Sequence, residues 1–299
     1  MFVANKRGDS LSRIDLSTGQ ETHRVDTCEN PHELAVSPDG GELLVGCYSG
    51  SSVNLHDTSD LSLIRAVELG DGARVHSAVW RADGSIVAGA EGRGSLFLVR
   101  FSETGSDVDL AEIGNGGQGP HMVAVNADGT HAWGTIIPSG SVVRYDLEQG
   151  VESARLLLGE QTEALALSPD GEVLWIGSNT DNLVYRLDAT SLQRQVEIPV
   201  GNVPIRIAPH PDGAFVATSN FGDGSISVID TASNEVVRTI EVSGSDSSVQ
   251  VTLVFSPDGE RLYAAETADD VIAEIDFASG EVLRRLRTGP GGDGLAVID

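Results

Sequence analysis

Apolar residues fall in short runs along this chain, and each run ends in a polar turn. The most regular runs close on an Asp-Gly pair: LAVSPDG at 34–40, AVWRADG at 78–84, VAVNADG at 123–129, LALSPDG at 165–171, IAPHPDG at 207–213 and LVFSPDG at 253–259. Asp-Gly suits the tight turns that join antiparallel strands, because Gly accepts positive φ without steric penalty. A second apolar run follows each turn, as in ELLVGC at 42–47 and EVLWIGS at 172–178. A Gly, Ser or Asn loop leads to a third run, such as SVVRYDL at 141–147 or SISVIDT at 225–231, and a second turn leads to a fourth, such as VVRTIEV at 236–242. Val, Ile, Thr and Ser dominate these runs, which favours strands. The turn aspartates Asp39, Asp83, Asp128, Asp170, Asp212 and Asp258 recur every 42 to 46 residues. Four short strands per unit at that period predict a β-propeller.

Six units are complete and a seventh is split. The chain ends in GLAVID at 294–299, a first strand that stops where its turn should begin, and it starts with MFVAN at 1–5, a second strand without a predecessor. Joining the ends predicts a single all-β, seven-bladed domain over 1–299, in which blade 1 combines 294–299 with 1–28. Closing the ring in this way removes exposed sheet edges. The units resemble the YVTN family of β-propellers, most clearly in NVPIRIAPHPDGAFVATSNFGDGSISVIDTASNEVVRTIEV at 202–242 and more loosely over the whole chain. The resemblance implies the propeller fold. YVTN-type propellers include surface-layer proteins, amine dehydrogenase subunits, lactonase-like proteins and binding scaffolds, so the resemblance leaves the activity open.

Composition sharpens this picture. A length of 299 residues fits one all-β domain, and 40% hydrophobic residues supply a core without metal or disulfides. With 45 acidic against 19 basic residues the net charge is −26, which sets the surface against nucleic acid and anionic membranes as partners. No apolar run reaches membrane-spanning length. The first residues, MFVANKRGDS, contain no apolar signal core, so a cytoplasmic location is expected unless a leader has been removed. Cys28 and Cys47 map to the same end of the barrel, where they can be extra ligands, a disulfide or small core residues.

Motifs of familiar chemistry are scarce. GNGGQG at 114–119 and GPGGDG at 289–294 fit GxGxxG, but both run into a strand, whereas a dinucleotide loop opens a helix. They read as loops that bring the chain to the central axis. There is no GxSxG, HExxH, zinc-spaced Cys pair or Walker loop.

One column of the repeat carries chemistry. Just ahead of the first apolar residues of the innermost strand, blades 1 to 7 place Asp293, His32, His76, His121, Glu163, Ile205 and Val251. Equivalent positions of successive blades should ring one mouth of the channel. Three imidazoles and a carboxylate converging there predict a site for Mn, Fe, Zn or Ni, with His32, His76, His121 and Glu163 as ligands. Glu163 or Asp293 would serve as general base, and Asp293 would orient His32. Ile205 and Val251 would form an apolar wall. Loops at the same mouth add Asn5, Lys6, Arg7, Tyr48, Glu91, Arg93, Asn179, Asp181, Asn220, Phe221, Glu266 and Asp270, and the segments leading into the inner strands add Arg74 and Arg206. Arg7, Arg74, Arg93 and Arg206 are candidates for a carboxylate or phosphate on a small polar or anionic substrate. His23, His56, His131 and His210 fall elsewhere in the repeat and receive no role.

Two function classes follow. One is a metal-dependent enzyme, a hydrolase, lactonase or lyase, with its site at the channel mouth. The other is a non-catalytic scaffold that binds a protein or small ligand through its loop face.

Overall fold

The repeats fold into seven four-stranded sheets in a computed structural model that describes residues 1–102, 107–114 and 117–298. Six sheets use four consecutive strands each. The seventh places the last strand, Gly292–Ala296, beside the first, Phe2–Asn5. These two run antiparallel with Phe2 opposite Ala296, Val3 opposite Leu295 and Asn5 opposite Gly292. The strand therefore begins two residues ahead of the GLAVID segment, and Asp299 lies outside the described residues. The ring is closed by this pairing.

Each Asp-Gly turn is held as its chemistry demands. In blade 2 the Asp39 carboxylate accepts from Ser37 Oγ at 2.7 Å and from the Gly41 amide at 3.1 Å. The six turn glycines have φ between 70° and 80°, a region closed to most side chains.

The core is divided among the seams. Buried apolar residues form seven clusters, and each spans two neighbouring blades. Between blades 2 and 3, for example, Leu44 and Leu55 meet Val75, Ile86 and Phe97. The last seam joins Val3 and Ile14 of blade 1 to Tyr263 and Ile272 of blade 7. Propeller blades cannot bury a face alone, so the ring supplies each sheet with a partner on both sides.

A shared irregularity sits where the inner strands begin. In blade 2 Pro31 faces Cys47 and Leu34 faces Val45, so His32 and Glu33 together oppose Gly46. In blade 3 Val75 faces Ala90 and Ala78 faces Ala88. Blades 1, 5, 6 and 7 shift register at the equivalent place. Such a bulge bends the strand and re-aims its side chains. The residue opposite is often glycine because the next blade passes close by. A Cβ on Gly89 would lie 2.5 Å from the Pro120 carbonyl oxygen, and one on Gly177 would lie 2.4 Å from that of Pro204.

Candidate metal centre

The starts of the inner strands, bulged in every contributing blade but the fourth, bring side chains from six blades together near the axis of the ring. Blade 2 contributes both residues of its bulge, with His32 Nδ1 3.8 Å from Glu33 Oε1. Blades 3 and 4 contribute His76 and His121. The three rings form a stack, with centroids 3.9 Å apart between His32 and His76 and 3.5 Å apart between His76 and His121. All three are buried. Stacked imidazoles cannot share several positive charges in a low-dielectric site. Burial, followed by neighbouring His121 and His32, accordingly pushes His76 well below the ordinary histidine range.

Arg206 reaches into this stack from blade 6 and is only 4% exposed. Its Nη1 donates to Glu163 Oε1 at 3.0 Å and to the Ile205 carbonyl at 2.8 Å. Its Nε and Nη2 donate to Glu33 Oε1 at 3.2 and 3.0 Å, and Nη2 lies 3.3 Å from His76 Nε2. Burial opposes ionisation of Glu33, yet the Arg206 charge holds its carboxyl below the usual range.

The two ends of the stack are tied to carboxylates. Asp293 is fully buried, with Lys6 Nζ at 2.8 Å and His32 Nε2 at 3.5 Å from Oδ2. Burial opposes its ionisation, but His32, Lys6 and Arg206 keep it below the ordinary aspartate range. His121 lies between two glutamates, with Nδ1 2.8 Å from Glu91 Oε2 and Nε2 3.4 Å from Glu163 Oε1. Burial works against its charge, but the contacts with Glu163 and Glu91 raise it above the usual histidine value. Glu163 is pulled down to about 2 against its burial by the bond to His121 and the Arg206 charge. Asn179 Nδ2 donates to its other oxygen at 2.7 Å. Tyr48 stands edge-on to His32 and His76 at 5.5 Å each, and its hydroxyl faces Glu91.

The donor set suits a cation. His32 Nδ1 is buried without a hydrogen-bond partner, which is uncommon for a polar atom in an interior. Arg206 can only donate, so the nitrogen of His76 with its lone pair free for a cation is Nε2, which faces the guanidinium. One donor atom each from His32, Glu33 and His76 lies within 4.8 Å of the others, so these three can converge on one metal ion. Asp293 on the other side of His32 is placed to accept from Nε2–H and so leave the Nδ1 lone pair free for a ligand bond.

The column read from the repeat therefore meets in space, with its members in different settings. His32 and His76 belong to the convergent donor set. His121 and Glu163 bond to each other and to Glu91 and Arg206. Val251 is buried and Ile205 is half-buried in the same ring of positions. The four arginines separate. Arg206 is central. Arg74 is half-exposed at the edge, its guanidinium 4.7 Å above the Tyr48 ring and 3.7 Å from Glu91. Arg7 turns to Asp270 at 2.7 Å, and Arg93 turns outward to Glu112 at 3.1 Å on the outermost strand of blade 3. Glu33 escaped a reading that took one residue per blade. A two-residue column, as the bulge requires, would have paired it with His32 and Arg206 with Ile205.

Cys28 and Cys47 form a disulfide, which resolves the three alternatives the sequence left open. Beside it, the Tyr48 amide donates to the Asn30 carbonyl at 3.1 Å, so the bridge fixes the segment before His32 against the one carrying Tyr48. The GPGGDG segment leads into the inner strand of blade 1 as expected. GNGGQG includes residues 115 and 116, which lie outside the described residues. Among the described residues no helix is long and apolar enough to cross a membrane.

Comparison with known proteins places the fold. The chain matches the YNCE-like beta-propeller family over residues 1–299. Among solved structures it is similar to hydrazine synthase of Kuenenia stuttgartiensis, with a TM-score of 0.78, 18% identity, and coverage of 93% of this chain and 92% of that one. It is also similar to the dihydro-heme d1 dehydrogenase NirN in complex with DHE, with a TM-score of 0.70 and 21% identity. That alignment covers 96% of this chain but 64% of the NirN chain, just under two thirds of its length. At these identities the likeness speaks for the fold alone. No curated protein matches the chain.

Proposed function

The chain belongs to the YNCE-like beta-propeller family, and within that fold we propose a metal-dependent enzyme of hydrolase, lactonase or lyase type with its site at the channel mouth. The observation that carries this reading is the convergence of His32, Glu33 and His76, together with the unpartnered Nδ1 of His32. Two imidazoles and a carboxylate suit Mn, Fe, Zn or Ni and leave coordination positions for water or substrate. Such an ion supplies Lewis-acid polarisation of a substrate oxygen or a water of lowered pKa. The chain's own residues supply the remainder. Asp293 and Lys6 orient His32. His121, held between Glu91 and Glu163, is positioned to hold a proton beside the substrate and pass it to a leaving oxygen. Arg74, half-exposed over Tyr48, can pair with a carboxylate or phosphate of a small anionic substrate.

The disulfide supports an oxidising compartment for this protein over the cytoplasm expected from its first residues. The scaffold alternative draws support from Arg206, which already pairs with both Glu33 and Glu163.

Turnover separates the two readings. A panel of lactones, esters and small hydroxy or amino acids is assayed with metal-depleted protein, then after addition of Mn²⁺, Fe²⁺, Zn²⁺ or Ni²⁺. The enzyme reading expects activity that returns with metal, and expects His121→Ala to keep bound metal while losing turnover. Bound metal with no turnover of any class would favour the scaffold.

A further inference from the structure

Arg206 lies among the atoms a metal would bind. Its Nη2 is 3.0 Å from Glu33 Oε1 and 3.3 Å from His76 Nε2, and those two residues supply two of the three converging donors. A guanidinium and a divalent cation cannot both lie against one buried carboxylate without strong repulsion. The guanidinium is also held in two separate halves. Nη1 is fixed to Glu163 and to the Ile205 carbonyl, while Nε and Nη2 hold Glu33. Rotation about the Nη1 side would release Glu33 and His76 and keep the Glu163 pair intact.

From this geometry we propose that Arg206 is a built-in counter-cation that fills the metal's place in the ion-free site and pivots onto Glu163 when the ion enters. Arg206 is then a positioning residue that sets how strongly a cation must bind to be admitted, and it presupposes the metal centre proposed above. In the ion-free protein it keeps Glu33 and Glu163 from being buried as unpaired charges. In the loaded protein its charge remains nearby, so it disfavours weakly bound cations and admits those that both imidazoles and Glu33 hold well. Its stabilising and its metal-excluding effects have opposite signs, which a purely structural ion pair would not show.

The test compares wild type with Arg206→Met, which removes the charge, Arg206→Lys, which keeps it, and Arg206→Gln, which keeps hydrogen bonding without charge. Zn²⁺ and Co²⁺ alone are the probes, read by competition with a chelating dye and by the shift in melting temperature on metal addition. Arg206→Met should melt lower than wild type when ion-free, bind Zn²⁺ about tenfold or more tightly, and gain a larger melting shift from it. Arg206→Lys should stay within about threefold of wild type, because it keeps the repelling charge near the site. If Arg206→Met fails to fold, Arg206→Gln carries the same expectation. Equal or weaker Zn²⁺ binding by the folded neutral variant, with wild type binding normally, overturns the counter-cation role and leaves the metal centre standing. Failure of both wild type and neutral variants to bind either ion overturns the metal centre as well.

Discussion

Glu163 and His121 share a buried contact that gives opposite pH dependences to the two partners. Glu163 falls from an ordinary value of 4.5 to about 2 in the fold. Its contribution to stability is therefore fully present above pH 4.5 and is lost as pH falls towards 2. His121 is raised above its ordinary 6.5, so its contribution is present below that pH and is lost as pH rises through the folded value. Glu163→Gln should flatten both limbs of a stability profile measured by urea unfolding across the acidic and neutral range. Parallel profiles for wild type and variant would show that the pair is not coupled to folding. At this scale the sequence showed residue types well and contacts poorly. Histidines on three adjacent blades stood out because duplicated units can be aligned. Glu33 did not, because its partners Arg206 and His76 belong to other blades, and a charged residue beside a turn otherwise looks like solvated surface.

At the level of strands and seams, Asp-Gly turns and apolar runs identified the six unbroken blades, since turn chemistry and period are local properties. The bulge was not legible, because an extra residue in one strand has no composition of its own and shows only in the pairing. Its consequence is testable at Gly89, where an added Cβ would meet the Pro120 oxygen at 2.5 Å and Val123 Cγ2 at 2.9 Å. Gly89→Ala should destabilise the protein by about 1–3 kcal/mol through overpacking of the seam between blades 3 and 4. Gly41→Ala, where the nearest atom is 3.5 Å away in the preceding Asp39 side chain, should stay within about 0.5 kcal/mol of wild type. Equal melting curves for the two variants would contradict the close approach of the blades. The disulfide closes a segment with a sequence separation of 19. Replacing both cysteines by serine should remove up to about 3 kcal/mol, read from denaturant midpoints under non-reducing conditions, and no change would mean that the bridge constrains little.

The closed ring was the most legible feature of the whole molecule, because the chain displays both halves of its split blade at its ends. Truncation after Gly291 removes the strand Gly292–Ala296 and with it Asp293, and should lower the melting temperature sharply; an unchanged melting temperature would show that closure contributes nothing. The site is the least legible feature at this scale. Arg206 and Glu33 are 173 residues apart in sequence and 3.0 Å apart in space, and only the closed ring brings them together. The central claim is that this closure builds a metal centre from His32, Glu33 and His76. It is tested most directly by elemental analysis of protein purified from metal-replete medium, for wild type, His32→Ala, Glu33→Gln, His76→Ala and His121→Ala, with circular dichroism to confirm folding. The account predicts about one transition-metal ion per wild-type chain, a large loss in the first three variants, and retention in His121→Ala. Metal-free wild type, or folded His32, Glu33 and His76 variants that carry as much metal as wild type, would contradict it.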